Sequence, residues 1–116
     1  MIQITTGPPH SLHLIGLHLK KKKDIKWISD FRDPWTEIDY FHKMPLNKKA
    51  KKKHHQLERE VLKNSDSVIV VGNTMRDQYL KETDKVVTIS NGFDTSENKE
   101  VSHLDIFFSI THVGMM

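Results

Sequence analysis

The chain has 116 residues, 36% of them hydrophobic and 28% charged, with a formal charge of +3. That length suits one domain and is too short for two of ordinary size. It has no cysteine, which excludes disulfides, thiolate metal sites and a cysteine nucleophile, and no apolar run approaches the roughly 18 residues needed to span a bilayer.

Ile2 to Thr5 is a β-like run closed by Gly7-Pro8-Pro9, a pattern unlike a secretory leader. A helix is predicted from about His10 to Lys22. Leu12, Ile15 and Leu19 share one face, Leu14 and Leu17 widen it, and Pro9 with the terminal lysines suits its two ends. Ile25 to Ser29 reads as the next strand and leads into Asp30-Phe31-Arg32-Asp33-Pro34-Trp35. From about Asn47 to Lys63, Ala50, Leu57 and Val61 draw a narrow apolar stripe along a charged helix. Ser67 to Val71 is the clearest strand, ended by Gly72. Thr74 with Asp77 three residues on predicts a capping box for a short helix through Leu80. Val86 to Ile89 is a further strand, ended by Asn91-Gly92; a polar linker follows, then a last β-like run from Ile106 to Val113. The alternation predicts a parallel α/β sheet with right-handed crossovers. The continuous apolar runs predict strands buried on both faces.

In open α/β sheets, ligands bind outside the carboxyl ends of the strands, and three segments fall there. Gly7-Pro8-Pro9-His10-Ser11 is a strand-to-helix turn. Gly7 permits close backbone approach, and the helix start offers N–H groups to an anion; the competing reading is an ordinary βα turn. It lacks the glycine spacing and the Lys-Ser/Thr pair of a P-loop. In DFRDPW, Asp30 and Asp33 flank Arg32, a set suited to holding sugar hydroxyls, with one carboxylate able to act as a base. The competing reading is an ion pair that stiffens the turn, with Trp35 as packing. Asn91-Gly92 is by itself a turn signal. His54 and His55 are adjacent and point to different helix faces, so they cannot chelate one metal; His13 and His18 read as solvent-facing or packing positions. The lysines at 20–23 and from Lys43 to Lys53 would attract phosphate-bearing partners, or simply form solvated helix faces. No zinc-finger, helix-turn-helix or aromatic-interleaved basic pattern supports a nucleic-acid partner.

Taken together, ITTGPPHS (Ile4 to Ser11), KWISDFRDPW (Lys26 to Trp35), LEREVLKNSDSVIVVG (Leu57 to Gly72), VVTISNGFD (Val86 to Asp94) and FSITHVG (Phe108 to Gly114) resemble bacterial glycosyltransferases of the family 4 type. The resemblance implies the two-domain GT-B architecture with a Rossmann-like, three-layer parallel sheet. Residues 1–94 would be the carboxyl-terminal half of the N-terminal acceptor domain, 95–105 the linker, and 106–116 the first strand of a truncated donor domain. It implies transfer of a sugar from a nucleotide-sugar donor to a polysaccharide or lipid-linked acceptor. That chemistry serves cell-envelope polysaccharide synthesis in the cytoplasm, at the inner face of the membrane, commonly with retention and with neither metal nor other cofactor. The candidate catalytic residues are then Asp30 and Asp33. The candidate substrate-binding residues are Gly7, Pro8, His10, Ser11, Arg32, Trp35, Asn91 and Gly92.

The chain departs from many relatives, which carry a cleft histidine near the strand end where it has Asp30, Arg32 and Asp33. The family's N-terminal glycine-rich loop and the second-domain groups that hold the donor have no counterpart in it. The chain is therefore expected to be inactive alone, with Lys43 to Lys53 as a lipid-surface patch. The other reading is a non-catalytic α/β binding or self-assembly module, a homodimer through the exposed sheet edge or through exchange of the Ile106–Val113 strand.

Overall fold

A computed structural model describes residues 1–92, 106–108, 110 and 113. The expected linker at 95–105 lies outside them, as does much of the segment 106–116. Strands β1 (Ile2–Gly7), β2 (Lys26–Phe31), β3 (Ser67–Val70) and β4 (Val86–Thr88) form one all-parallel sheet in the order β1-β2-β3-β4. Helices α1 (Ser11–Lys23), α2 (Lys48–Asn64) and α3 (Asn73–Tyr79) connect successive strands, and a short 3-10 turn at Phe41–Lys43 interrupts the long β2–α2 connection. This is the Rossmann-like α/β arrangement that the strand–helix alternation predicts.

Each crossover steps one strand onward in the same direction, so crossovers of the usual hand carry all three helices to one face. Leu17, Val61, Leu62, Met75 and Tyr79 from the helices join Trp27, Phe31, Val68, Val70 and Val86 from the sheet in a single buried cluster. The described residues thus supply the sheet and one helical layer. Along β2, Trp27, Ser29 and Phe31 are fully buried, whereas Lys26 is exposed and Ile28 and Asp30 are half-buried. Along β1, Ile2 and Ile4 are 67% and 61% exposed. The expectation of strands buried on both faces is corrected here. The runs are apolar on both sides, but among the described residues only one side is covered.

Helix α1 turns inward only part of the face its leucines predicted. His13, Gly16 and Leu17 are buried and Leu14 packs against the core, while Leu12 and Ile15 are 41% and 57% exposed. Trp27 is the cause: a Cβ built at Gly16 would lie 2.5 Å from the indole, so only glycine lets this ring sit beneath the helix. α2 starts where predicted, with the Asn47 side chain accepting the Ala50 N–H at 2.8 Å, which satisfies one of the free donors of the first turn. The predicted Thr74–Asp77 box does not form. α3 begins at Asn73, and Gly72 occupies the cap position with no side chain to contribute.

At the amino end of the sheet, Asp66 accepts hydrogen bonds from Lys20 Nζ (2.8 Å) and Trp27 N–H (2.7 Å). These partners, the Lys20 ammonium foremost, hold its carboxyl down at about 2. The anchor leaves the carboxyl end of the sheet for other work.

Candidate functional site

β2 runs to Phe31, so Asp30 belongs to the strand, and Arg32 to Trp35 form the loop leaving its carboxyl end. β1 brings Gly7 to the same level, paired with Phe31. Arg32 N–H donates to the Gly7 carbonyl at 3.1 Å, which fastens the β1–α1 turn to the loop after β2. Between these segments and α2 lies an apolar groove of about 310 Å³, whose lining includes Pro8, His10, Ser11, Asp33, Trp35 and Phe41. Two predicted segments therefore meet in one concavity at the carboxyl edge of the sheet.

Aromatic stacking holds the groove wall. The Trp35 indole lies flat against the His10 imidazole (centroids 5.4 Å apart, planes 12° from parallel), and its Nε1–H donates to His54 Nδ1 at 3.1 Å. Behind His10, the buried His13 ring stacks on Phe31 at 4.3 Å. His13 Nδ1 is 2.8 Å from Thr5 Oγ1, which accepts the Trp27 Nε1–H at 2.9 Å. The indole N–H can only donate, so Thr5 Oγ1 is the acceptor in that bond, and its second lone pair and its proton both suit His13 Nδ1, the direction following the imidazole tautomer. Burial pushes His13 down to about 4, helped by the neighbouring His10. Burial also lowers His10, against the pull of Glu58, the Pro34 backbone and Asp33. Both rings are uncharged at neutral pH.

Gly7 plays a different part from the one predicted. A Cβ there would meet His13 Nε2 at 2.8 Å and His10 Nδ1 at 2.9 Å, so two imidazoles, rather than a ligand, already use the close approach. The expected free donors at the start of α1 are partly engaged as well. Leu12 N–H donates to the Pro9 carbonyl and His13 N–H to the His10 carbonyl, both at 3.1 Å.

The loop after Trp35 is clamped by a buried carboxylate. Glu58 of α2 accepts from Thr36 N–H (3.2 Å), the Thr36 hydroxyl and the Tyr79 hydroxyl (3.0 Å). Burial foremost, and then the Glu58 charge, raise the Tyr79 phenol above its ordinary value, so it stays a donor. Trp35 N–H in turn points at Tyr79 Oη (3.4 Å). In the sequence, Glu58 is one more charge on a charged helix; only its place next to the buried Val61 and Leu62 hints at an inward role.

The two candidate carboxylates separate. Asp33 is exposed and lines the groove with His10. Asp30 alternates onto the uncovered sheet face, 3.6 Å from Arg32 Nη1, and its Oδ1 has no hydrogen-bond partner among the described residues. Arg32 Nη2 donates to Asn91 Oδ1, so the structure unites Asp30, Arg32 and Asn91 in a second cluster beside the groove. Gly92 is exposed with nothing packed around it, and Phe93 and Asp94 lie outside the described residues. Among the described residues, no three histidine, aspartate or glutamate side chains stand close enough together to hold a metal ion. No described helix is long and apolar enough to cross a membrane.

A parallel sheet with a ligand-sized groove at its carboxyl edge defines an α/β protein of the class that binds ligands at strand ends. The sequence model of Glycosyltransferase Family 4 matches residues 5–97, which include every candidate site residue. The chain belongs to glycosyltransferase family 4, transferases of the GT-B fold that join a sugar donor to an acceptor. No curated protein and no solved structure matches it.

Proposed function

We propose that this chain forms the acceptor-side wall of a sugar-transfer cleft, with the groove bounded by His10, Ser11, Asp33 and Trp35 as its working surface. The observation that carries this reading is the convergence of the β1–α1 turn and the loop after β2 on one groove in a family 4 chain. Asp33 stands where it can accept a hydrogen bond from an acceptor hydroxyl. His10 is neutral at pH 7 and so able to take that proton. Trp35, Pro8 and Ser11 shape the groove, while Arg32, held by Asp30 and Asn91, offers a guanidinium beside it. In an enzyme that carries this segment, Asp33→Ala and His10→Gln should each lower kcat by about 10² or more, with the donor KM unchanged. Unaltered turnover in both variants would overturn the assignment.

Sugar transfer also needs positive groups placed to neutralise the leaving diphosphate and a site holding both substrates together. The groove is one wall of such a site, so the chain by itself does not transfer sugar; product formed by the purified chain would refute this. The donor is a nucleotide sugar and the acceptor a polysaccharide or lipid-linked glycan of the cell envelope, met at the cytoplasmic face of the membrane. Support for membrane contact comes from α2. Its first two turns carry Lys48, Lys49, Lys51, Lys52 and Lys53 with no acidic residue in the first turn, adding to the positive end of the helix dipole. Binding to anionic vesicles that weakens as salt rises is expected; salt-insensitive binding, or none, would count against it.

A further inference from the structure

We propose that Asn91 is a site of spontaneous modification, where the Asn91-Gly92 step converts to aspartate and isoaspartate and Arg32 receives the new carboxylate. The inference rests on local chemistry and stands apart from the sugar-transfer reading.

Just past β4, Ile89 N–H donates to the Val70 carbonyl at 2.8 Å. Asn91 and Gly92 follow, both exposed and outside every described helix and strand. Among the described residues, no backbone carbonyl accepts the Gly92 N–H. A Cβ at Gly92 would meet nothing within 4 Å, so its nitrogen is sterically open. Its backbone also keeps the freedom to turn toward the side chain before it. Arg32 Nη2 donates to Asn91 Oδ1. That bond draws electron density from Cγ, and it stabilises the charge that gathers on the same oxygen when Cγ is attacked. Asn91 thus combines an open neighbouring nucleophile with a cationic donor on its carbonyl. The other described asparagines are placed differently. Asn47 accepts the Ala50 N–H as a helix cap, Asn64 donates from Nδ2 to the Glu60 carbonyl at 2.8 Å, and Asn73 opens α3. Each is followed by a residue with a side chain, Lys48, Ser65 or Thr74.

The reaction needs only water. Hydroxide removes the Gly92 amide proton, and the nitrogen attacks Asn91 Cγ to close a five-membered succinimide. The Cγ–Nδ2 bond breaks, and the leaving nitrogen takes a proton from water and departs as ammonia. Water then adds to the ring. Opening at the Cγ–N bond restores the backbone and leaves aspartate; opening at the main-chain carbonyl leaves isoaspartate, with an extra methylene in the backbone. One water enters and one ammonia leaves, and nothing is oxidised or reduced. The formal charge of +3 falls by one. The new carboxylate forms within reach of the Arg32 guanidinium, whose Nη1 lies 3.6 Å from Asp30 Oδ1. A charge-assisted bond replaces a bond to a neutral amide and is the stronger of the two. Ageing therefore fixes Arg32 between two carboxylates.

The intact chain, aged in warm, mildly alkaline buffer and mapped by peptide mass spectrometry, should convert at Asn91 ahead of Asn47, Asn64 and Asn73. Both products should appear, at a rate that rises with pH and is no slower than in the urea-unfolded chain. Gly92→Ala should slow conversion about tenfold or more by crowding the nucleophile. Its circular dichroism spectrum should be unchanged, because the site has room for the methyl group. Arg32→Ala keeps the backbone N–H that bonds Gly7. It should slow conversion about threefold, less than a buried oxyanion donor is worth, because Arg32 is partly in solvent. A folded chain that keeps Asn91 intact while the unfolded chain converts it would overturn the proposal. So would equal conversion at the helical asparagines. An Arg32→Ala chain that ages as fast as the parent would remove Arg32 from the account.

Discussion

Val68 and Val70 on one face of the sheet are fully buried, while Ile4 and Val87 on the other are 61% and 48% exposed. The side chains are of one chemical kind and the strands pair in one register, so strand propensity and hydropathy cannot distinguish them. What differs is the layer above. The covered face is packed by residues that look unremarkable in the sequence, Gly16 and His13 on α1 and Glu58 on α2, whereas the open face is lined by the isoleucines that a hydropathy reading would place in the core. Burial in this protein is a property of the neighbour, not of the residue.

The contrast can be tested by asking how unequally the two faces respond to change. Trp27→Ala removes a fully buried indole from under α1 and should cost about 4 kcal/mol, enough to leave the chain largely unfolded in a urea titration; a loss below ~1 kcal/mol would mean that the covered face is not the core. His13 offers a graded test on the same face. Its pKa is lowered in the folded state to about 4 from 6.5, so the unfolded chain binds the proton more readily. The stabilisation is therefore complete above about pH 6.5, declines as pH falls between 6.5 and 4, and changes no further below that. The total is about 3 kcal/mol, with His10 acting in the same direction. Urea midpoints at pH 7 and pH 4.5 should differ accordingly, and His13→Gln should flatten the dependence. Asp66, whose carboxyl lies low, acts in a separate window, its contribution fading as pH drops from 3.8 toward 2.

Glu58→Gln should cost about 2 kcal/mol by weakening three hydrogen bonds to a buried acceptor. Because the Trp35–Thr36 loop hangs on that carboxylate, the Trp35 indole and His10 ring resonances should shift together in NMR spectra; shifts confined to residues touching Glu58 would show that the clamp does not reach the groove. On the open face, Ile4→Thr should change the stability of the monomer by no more than about 0.5 kcal/mol. A larger loss would show that something within the chain covers this face.

Much of the site was legible because strand ends are announced by short-range chemistry. Turn chemistry around Gly7-Pro8-Pro9 and Asp30 to Trp35 placed two strand ends at those segments, and Pro8-Pro9 and Arg32 to Trp35 do leave the parallel sheet at its carboxyl edge. Which of their side chains would face one another was not legible. Period-2 alternation sends Asp30 to the uncovered face, while Asp33, in the loop beyond β2, lines the groove, and a two-residue difference in where β2 ends decides that split. Gly7 was read as open to a ligand because a sequence does not show the histidines packed against it.

The sequence by itself determined the order of strands and helices, the parallel sheet, the location of the candidate site at the carboxyl edge and membership of family 4. Those features follow from local periodicity, turn residues and motif spacing, which short stretches of chain encode completely. The tertiary structure alone decided which face of the sheet is covered, that α1 turns His13 and Gly16 inward over Trp27, that Glu58 is a buried clamp, and that Arg32 meets Asn91. Each of these is a contact between residues far apart in the chain, fixed by how three crossovers of one hand stack on a sheet, and no local pattern carries that information.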